Sequence, residues 1–451
     1  MFNKYTITIL LIISSLSLFI KPLDRSPLES SEYYLKTIQS LENTKLNDEN
    51  TKDKDTIRVG RSKASLVPNY LTPLAGYGAR KGVNHEGIND SIWVRAVVFD
   101  NGINKSVYVS MDLLIVPPNL NRKKLLEGTD FKEDEIYFTA SHTHSSIGGY
   151  LEGIAGEIFG GEFDKRNLDF ITEKTREAII SAHESISKAK IGYAPIFASD
   201  FITNRLIGDS LGTYDPYIRL IKIKKDNGQN AAIFSYSAHA TCHSHNQKKI
   251  SGDYPGKLIS MLEDTRDIDF AVYGAGAVGS MRPRTFKNDG DSKVREISSG
   301  LFDRILPVFR SIGVKYEYKI KSEKYDIELR EQSFKLNSYF IVRPWLFKFL
   351  VGDSPKYISS LRLGNLIMVG TPSDFSGELI APIEKSISNK ELNLIINSFN
   401  GGYIGYITDD KWYDRTDINT YETHTMNWYG PYNGQYFSTL IKKIIELNEN
   451  I

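Results

Sequence analysis

The sequence predicts an α/β fold in which a mixed, largely parallel sheet is flanked by helices and carries a site at the carboxyl ends of its strands. Short apolar runs with strand character recur from about residue 57 to about residue 398, and segments with helical spacing separate them. Polar clusters follow most of these runs. Because sites in open α/β sheets gather at the carboxyl ends of strands, we expect one composite site there.

The predicted strands are short and rich in β-branched and aromatic residues, which is typical of strands buried on both faces. They cover residues 106–111, 135–140, 198–202, 231–236, 270–273, 366–369 and 394–396. Apolar residues at helical spacing predict helices over residues 168–188, 257–263, 294–312, 378–387 and 437–447. Their alternation, with no long low-complexity break, predicts one large domain over residues 56–451.

Charge and cysteine content exclude several classes of protein. The chain has 451 residues and a net charge of +1, so it lacks the basic surface that nucleic-acid binding requires. Its single cysteine, Cys242, excludes an intrachain disulfide. A large buried core has to stabilise the fold instead.

The N-terminus has the pattern of an export signal. Lys4 precedes an uncharged, largely apolar run over residues 5–20. Residues 1–20 therefore predict a signal peptide or an uncleaved signal anchor, and the protein is expected to be secreted, periplasmic or membrane-anchored. Residues 21–55 are rich in Ser, Asn and charged residues and predict a flexible linker.

Two histidine clusters dominate the sequence. Five of the eight histidines stand at positions 142, 144, 239, 243 and 245, and each cluster follows a predicted strand. Imidazole is the commonest protein ligand for zinc, and a strand end is a rigid place to hold it. His142 and His144 either bind one metal together, or one binds while the other faces a substrate. We interpret the clusters as a metal site of a metallohydrolase.

Further ligands are needed, because a catalytic zinc usually has about three protein ligands. Asp374 and one of the tyrosines at 403 and 406 are the candidates, and Cys242 is either a small buried neighbour or a ligand. This mixed ligand set would also accept iron or manganese. The glycine-rich turn over residues 274–284 lacks the Lys-Ser/Thr of a P-loop, which argues against nucleotide binding.

One segment departs from the alternating pattern. Residues 339–350 are strongly apolar and aromatic with interspersed basic residues. They are interpreted either as ordinary core or as a segment at a membrane interface that flanks a lipid entrance.

Seven motifs in the same order resemble the neutral/alkaline non-lysosomal ceramidase family. They are Thr72-Pro73-Leu74-Ala75-Gly76-Tyr77, Ser110-Met111-Asp112-Leu113, Thr139-Ala140-Ser141-His142-Thr143-His144-Ser145, Asn204-Arg205 with Tyr214-Asp215-Pro216, Ser237-Ala238-His239-Ala240-Thr241, Gly402-Tyr403-Ile404-Gly405-Tyr406, and Tyr421-Glu422 with Tyr429-Gly430-Pro431. The resemblance runs from about residue 57 to about residue 434.

The resemblance implies a zinc-dependent amidohydrolase that cleaves the N-acyl bond of ceramide or a related N-acyl lipid. One Zn²⁺ per chain would be bound by His142, His239, Asp374 and Tyr406. The resemblance also implies that His144 and Arg205 face the substrate amide and that Tyr421 holds its carbonyl. A lipid or amphiphilic substrate and a membrane surface are the implied partners.

The chain also departs from the family pattern. Asp374 stands where the family usually has Glu, Ser280 where it has Asp, and Arg282 where it has the site serine. Arg282 is expected to act as an anion clamp in the site or to block an alkyl chain. The family's C-terminal β-sandwich domain is expected to be absent. A zinc hydrolase of a different amide or ester, and a non-catalytic lipid-binding envelope protein, are the alternative functions.

Overall fold

Two packed β-sheets form the centre of this computed structural model, which describes residues 16–44, 56–387, 389 and 391–449. The strands are β1 Ile20–Pro22, β2 Arg58–Ser65, β3 Gly87–Ile88, β4 Trp93–Asp100, β5 Lys105–Met111, β6 Ile136–Ala140, β7 Ser187–Phe197, β8 Ile202–Asn204, β9 Tyr217–Lys225, β10 Asn230–Tyr236, β11 Lys249–Ile250, β12 Phe270–Ala275, β13 Met281–Pro283, β14 Lys315–Tyr316, β15 Ile320–Asp326, β16 Phe340–Val342, β17 Tyr357–Leu363, β18 Leu366–Gly370, β19 Asp374–Phe375, β20 Asn393–Asn397 and β21 Tyr406–Ile407. The α-helices are α1 Glu32–Asn43, α2 Arg122–Leu126, α3 Gly153–Gly160, α4 Lys165–Glu184, α5 Asp253–Glu263, α6 Gly290–Ser311, α7 Pro344–Val351, α8 Ile380–Ser386 and α9 Asn433–Glu449.

The first sheet has nine strands in the order β12-β10-β9-β7-β2-β4-β5-β6, with β14 paired to β7. Only β10 with β12 and β5 with β6 pair in parallel, while the other pairs are antiparallel. The second sheet, β15-β17-β18-β20, is parallel only between β18 and β20. The mixed α/β class is confirmed, but a largely parallel sheet is wrong. Continuous apolar strands also suit antiparallel sheets buried on both faces, and short turns such as the one after β4 join them as hairpins.

Side chains alternate between two cores along each central strand. On β4, Val94, Ala96 and Val98 face helices α4, α5 and α6, whereas Val97 and Phe99 face the second sheet. On β18, Leu366 and Met368 face the first sheet, and Ile367 and Val369 pack with helices α8 and α9. The resulting layers run helix, sheet, sheet, helix.

The predicted strand over residues 198–202 is wrong: β7 ends at Phe197, a 3₁₀ turn covers Ser199–Phe201, and β8 begins only at Ile202. Helices α4 and α6 begin at capping residues that the sequence supplies. The side chain of Asp164 accepts a hydrogen bond from the Arg166 amide, and that of Asp289 accepts one from the Ser292 amide.

The predicted linker over residues 21–55 is corrected over residues 21–44. Strand β1 pairs with β16, and helix α1 follows it, because Leu28 and Leu41 are buried in the core beside α9. The Tyr436 hydroxyl on α9 donates a hydrogen bond to Thr37 Oγ1 on α1 (3.0 Å), which connects the two helices. Residues 45–55, and residues 1–15 of the predicted signal, lie outside the described residues.

Residues 339–350 form β16 and most of α7. Phe347 is buried against Phe334 and Trp428, whereas Trp345 and Phe349 are exposed. The segment is therefore partly core and partly surface. Within residues 16–44, 56–387, 389 and 391–449, we find no helix with the length and apolar character needed to span a bilayer.

Candidate active site

His142 follows the carboxyl end of β6 in a left-handed backbone conformation, with φ of 59°. A non-glycine residue rarely adopts this conformation unless its surroundings fix it. Here the ring stacks on Phe399 (4.0 Å between ring centres), which is itself left-handed with φ of 62°. His142 Nδ1 donates to the Leu114 carbonyl (2.6 Å). The proton is therefore on Nδ1, and Nε2 presents a lone pair to the site.

His239 follows the carboxyl end of β10 and is oriented in the same way. Its Nδ1 donates to the carbonyl of Val278 (2.8 Å), in the loop after β12. Nε2 is again the atom that presents its lone pair to the site. A backbone acceptor on the far nitrogen is how proteins usually orient a metal-binding imidazole.

His144 completes the group of three imidazoles. Its Nε2 lies 3.1 Å from Nε2 of His142, and its Nδ1 is buried without a hydrogen-bond partner. The backbone beneath His144 is close to Gly76, where an added Cβ would stand 2.5 Å from the His144 Cα. Gly76, with φ of 118°, therefore allows this approach.

Asp374 and Tyr406 are brought together by strand pairing. They are register partners in the parallel pair β19–β21, so their side chains project in the same direction. Asp374 is fully buried, and its Oδ2 accepts a hydrogen bond from the Tyr403 hydroxyl (2.7 Å). Its Oδ1 has no hydrogen-bond partner and lies 3.2 Å from His239 Nε2 and 3.5 Å from His142 Nε2.

These donor atoms fit a metal cation. Ligand atoms around a tetrahedral zinc stand about 3.3 Å apart, which follows from metal–ligand distances of about 2.0–2.1 Å. The Asp374 Oδ1 separations from the two Nε2 atoms match that spacing. Among the described residues, the ligand atoms of His142, His144 and His239 form one group within 4.8 Å. An otherwise unpartnered buried carboxylate oxygen between imidazole lone pairs is what a cation site requires.

Arg205 brings a fixed positive charge to the site. Its Nε donates to Glu422 Oε1 (2.6 Å), and its Nη2 donates to the Tyr406 hydroxyl (2.8 Å). Nη2 also lies 3.3 Å from His239 Nε2. Burial acts to lower the pKa of Arg205, but Tyr406 and Glu422 raise it by a larger amount. The net pKa therefore lies above its ordinary value. The guanidinium stays charged and points at the Tyr406 oxygen.

Burial also sets the protonation of the other groups. It lowers the pKa of His142 to about 3 and that of His239 well below its usual value, so both imidazoles are neutral, the form that binds metals. It lowers the pKa of His144 likewise, with a further contribution from His142. It raises the pKa of Asp374, although His142 and Tyr403 oppose the shift.

The cluster stands at the closed end of a cavity of about 400 Å³. The lining includes His142, His144, Asp374 and Tyr406 at the polar end, the partly exposed Tyr421, and Leu114, Ile115, Leu151, Phe159, Phe347, Val351, Met426 and Trp428 along the walls. Exposed lining residues, among them Asn119 and Glu152, mark the end that opens to solvent. The cavity is thus an apolar channel that leads to a polar, buried end.

Not every predicted site residue reaches the cluster. Tyr421 lies in a π-helical turn, Tyr421–Thr425, and its ring stands 5.8 Å from that of Tyr406. Arg282 does not reach the cluster. It is exposed on β13 and absent from the cavity wall, because its neighbour Met281 takes the buried face of the strand.

The second histidine cluster contributes only His239. His245 is exposed, and His243 lies against α6, where its Nε2 is 3.9 Å from Asp291 Oδ1. Cys242 is buried, and its amide donates to Asp253 (3.3 Å). Cys242 is not part of the described metal-ligand group.

Sequence reasoning gave no role to Glu422 and Phe399 and left Tyr403 as one of two candidate ligands. Glu422 adjoins Tyr421 within a recognised motif, which was the available signal for its role. Tyr403 orients the carboxylate of Asp374 instead of offering its oxygen to the same point as Tyr406. Phe399 has no distinguishing pattern in the sequence.

The fold and the residues at the closed end define an α/β protein in which three histidines are positioned to bind a metal ion. Residues 59–281 match the profile described as neutral/alkaline non-lysosomal ceramidase, N-terminal. The resemblance that the sequence motifs indicated is confirmed over those residues.

Several ceramidases are similar to this chain. Neutral ceramidase A of Dictyostelium discoideum is 26% identical over 228 residues, which are 46% of this chain and 32% of that protein. The solved structure titled as a ceramidase complexed with C2 has a TM-score of 0.76 and 16% identity, over 88% of this chain and 76% of that one. That of neutral ceramidase from Pseudomonas aeruginosa has a TM-score of 0.74 and 18% identity, over 88% of this chain and 75% of that one. The structural likeness shows the fold, and the alignment spans under a third of the Dictyostelium relative.

Proposed function

We propose that this chain is a zinc-dependent amidohydrolase that cleaves the N-acyl bond of ceramide or a related N-acyl lipid. The observation that carries the proposal is the convergence of neutral imidazoles and a buried carboxylate at the closed end of an apolar cavity. The family assignment supports the same reaction class. Export to a compartment where the enzyme meets a membrane surface belongs to the proposal and is supported by the N-terminal sequence.

The cavity favours an acyl lipid over a polar substrate. Its walls between the opening and the metal ligands are formed largely by aliphatic and aromatic side chains, including Leu151, Phe159 and Phe347. Burying an alkyl chain there gains about 0.8 kcal/mol for each methylene removed from water. The amide at the head of the chain would then lie beside His144 and Tyr406.

His142, His239, Asp374 and Tyr406 would hold the zinc, and Nε2 of His144 stands 3.1 Å from that of His142. Bound zinc supplies Lewis acidity and lowers the pKa of a water molecule to about 7. Asp374 is shorter than Glu by one methylene, and two features compensate. Strand β19 places its backbone directly beside β21, and the Tyr403 hydroxyl fixes the carboxylate.

The remaining residues act on the amide itself. Arg205 is held by Glu422 and directs Nη2 into the site, where it can donate to the oxygen that gains negative charge as the amide is attacked. Tyr421 can donate its phenol to the same oxygen, since burial raises its pKa to about 12 and keeps it protonated. His144 Nδ1 has no internal partner and can exchange a proton with the leaving amine.

The test is release of fatty acid from an N-acyl sphingosine in detergent micelles by the full chain. The assay is run with added zinc, with a chelator, and with zinc restored after chelation. We expect release that the chelator abolishes and zinc restores. Zinc-dependent hydrolysis of only soluble amides or esters would contradict the lipid substrate. Lipid binding without turnover, in protein with no bound zinc, would favour the non-catalytic alternative.

A further inference from the structure

Two short helices flank the open end of the cavity. The inner sides of α3 and α7 contribute lining residues, among them Phe159 and Phe347. Gly153 lies where an added Cβ would stand 3.4 Å from the Val351 carbonyl oxygen, so the two helices touch at the rim. The exposed lining residues Glu152 and Asp353 stand at the adjoining ends of the two helices, so the opening lies beside this contact.

The outer sides of the same helices carry large apolar side chains in water. On α3, Ile154 is 44% exposed and Ile158 is 53% exposed. On α7, Trp345 is 53% exposed and Phe349 is 70% exposed. Single exposed apolar residues are ordinary, but a contiguous group around a cavity opening marks an interaction site.

The N-terminal apolar run ends on this same surface. Ile20 pairs with Val342 in the β1–β16 ladder, and the Trp345 indole donates to the Leu18 carbonyl (3.1 Å). The Phe19 ring stands 5.9 Å from that of Trp345. Leu18 and Phe19 are both exposed. The uncharged run over residues 5–20 thus enters the described part of the chain beside the cavity opening.

We propose that this mouth surface, defined as Leu18, Phe19, Ile154, Ile158, Trp345 and Phe349, docks on a lipid bilayer. Two features favour a bilayer over a second copy of the chain. Leu18 and Phe19 continue an uncharged, largely apolar stretch of sequence, and an apolar cavity opens at this surface. Amphipathic rings such as Trp345 are typical of the membrane interface. Delivery of substrate from the bilayer into the cavity rests on the proposed function, whereas docking itself does not.

The charges beside the mouth surface decide which lipids are needed. Lys348 pairs with Asp353 (3.1 Å) at the C-terminal end of α7, and Lys21 pairs with Glu331. Both lysines therefore already have acidic partners, whereas Arg343 Nε donates to the Ser17 carbonyl (2.6 Å). Because the mouth surface itself consists of apolar side chains, vesicles of phosphatidylcholine are the appropriate probe.

The first test locates Trp345 in the bilayer. The full chain is mixed with phosphatidylcholine vesicles whose acyl chains are brominated, and tryptophan quenching is compared with that of Trp345→Phe. The chain has four tryptophans, of which Trp412 and Trp428 are buried, so the difference reports Trp345. We expect quenching that the substitution largely removes. Equal quenching in the two proteins, or none in either, would overturn the proposal.

The second test measures affinity for the same vesicles without bromine. Because each large apolar side chain gains roughly 1.5–3 kcal/mol on full burial, Trp345→Ser with Phe349→Ser should weaken vesicle binding about tenfold or more. The matched control is Leu211→Ser with Phe286→Ser, two exposed residues in loops outside the mouth surface. The control should change binding less than about twofold. Equal losses in both pairs, or a change of oligomeric state in place of a vesicle effect, would overturn docking.

Turnover separates this proposal from the proposed function. Trp345→Ser with Phe349→Ser should lower hydrolysis of N-acyl sphingosine in vesicles and leave hydrolysis of a soluble short-chain N-acyl amide unchanged. A protein that binds vesicles through Trp345 but hydrolyses neither substrate would refute the function and keep the docking surface. If the double variant hydrolyses both substrates as fast as the unmodified chain does, the function is kept and the docking surface is refuted.

Discussion

The two ends of one cavity are built on opposite principles. At the closed end, a hydrogen bond with another segment of the chain fixes each polar side chain. His142, His239 and Arg205 donate these bonds, and Asp374 accepts one from Tyr403. At the open end, helices α3 and α7 expose large apolar side chains to solvent.

The two ends of the cavity have different roles. Polar groups at the closed end are buried, so a single missing partner leaves an unsatisfied group and a large penalty. The apolar groups at the mouth are exposed and contribute little to folding, so their presence there has to be explained by something that covers them. Substitutions at the closed end should therefore affect chemistry, and those at the mouth should affect encounter with lipid.

The largest expected effect is at the metal ligands. His239→Ala removes an imidazole lone pair from the group within 4.8 Å and should abolish both stoichiometric zinc and fatty-acid release. Metal analysis and the micelle assay measure these outcomes. His245→Ala is the matched control, because His245 belongs to the same sequence cluster but is exposed. Equal zinc loss in both variants would refute the assignment of His239.

The second largest effect is expected for Arg205→Lys. Lysine keeps the charge but cannot bond Glu422 and Tyr406 simultaneously through a planar fork, so we expect kcat to fall by about 10²–10³. Zinc content should stay near that of the unmodified chain. Arg282→Lys is the control and should leave kcat unchanged, because Arg282 is exposed away from the cavity. A larger fall in kcat for Arg282→Lys than for Arg205→Lys would show that Arg282 acts in the site.

Tyr403→Phe tests the orientation of Asp374. Loss of the 2.7 Å hydrogen bond to Oδ2 should weaken zinc affinity about 10–100-fold, as is usual when the partner of a metal ligand is removed. Competition with a zinc chelator gives the affinity. Tyr429→Phe is the control, since that hydroxyl lies in the same cavity wall but donates to Gln332 (2.7 Å). Zinc affinity unchanged in Tyr403→Phe would mean that Asp374 needs no orientation.

The smallest expected effect is on stability at the mouth. Phe349→Ser should change the free energy of unfolding by no more than about 0.5 kcal/mol, as surface substitutions do. Phe347→Ala, two residues earlier on the same helix, removes a buried ring and should cost about 3–5 kcal/mol. Denaturant unfolding measures both. A large loss from Phe349→Ser would show that this ring is core and remove it from the mouth surface.

The part of the site that the sequence predicted is the part that follows strand ends. His142, His239, Asp374 and Tyr406 all come after predicted strands or within recognised motifs, and the structure brings them together. Roles that depend on side-chain direction were not predictable in this way. Arg282 is one residue from a buried position, and the strand alternation turns it outward.

The fold was predictable in its elements more than in its pairing. The segments around β5, β6, β10, β12, β18 and β20 were located from apolar runs. Strands such as β7 and β17 were missed because Lys, Ser, Gly or Arg residues interrupt their apolar runs. Strand direction depends on how distant segments pair, and local pattern does not encode it.

The central claim is one zinc at the closed end, held by nitrogen and oxygen donors. X-ray absorption at the zinc edge of the loaded full chain tests it most directly, together with the zinc-to-protein ratio. We expect about one zinc per chain with a shell of imidazole nitrogen and oxygen at about 2.0–2.2 Å. Substoichiometric zinc, or a sulfur shell at about 2.3 Å that would implicate Cys242, would contradict it.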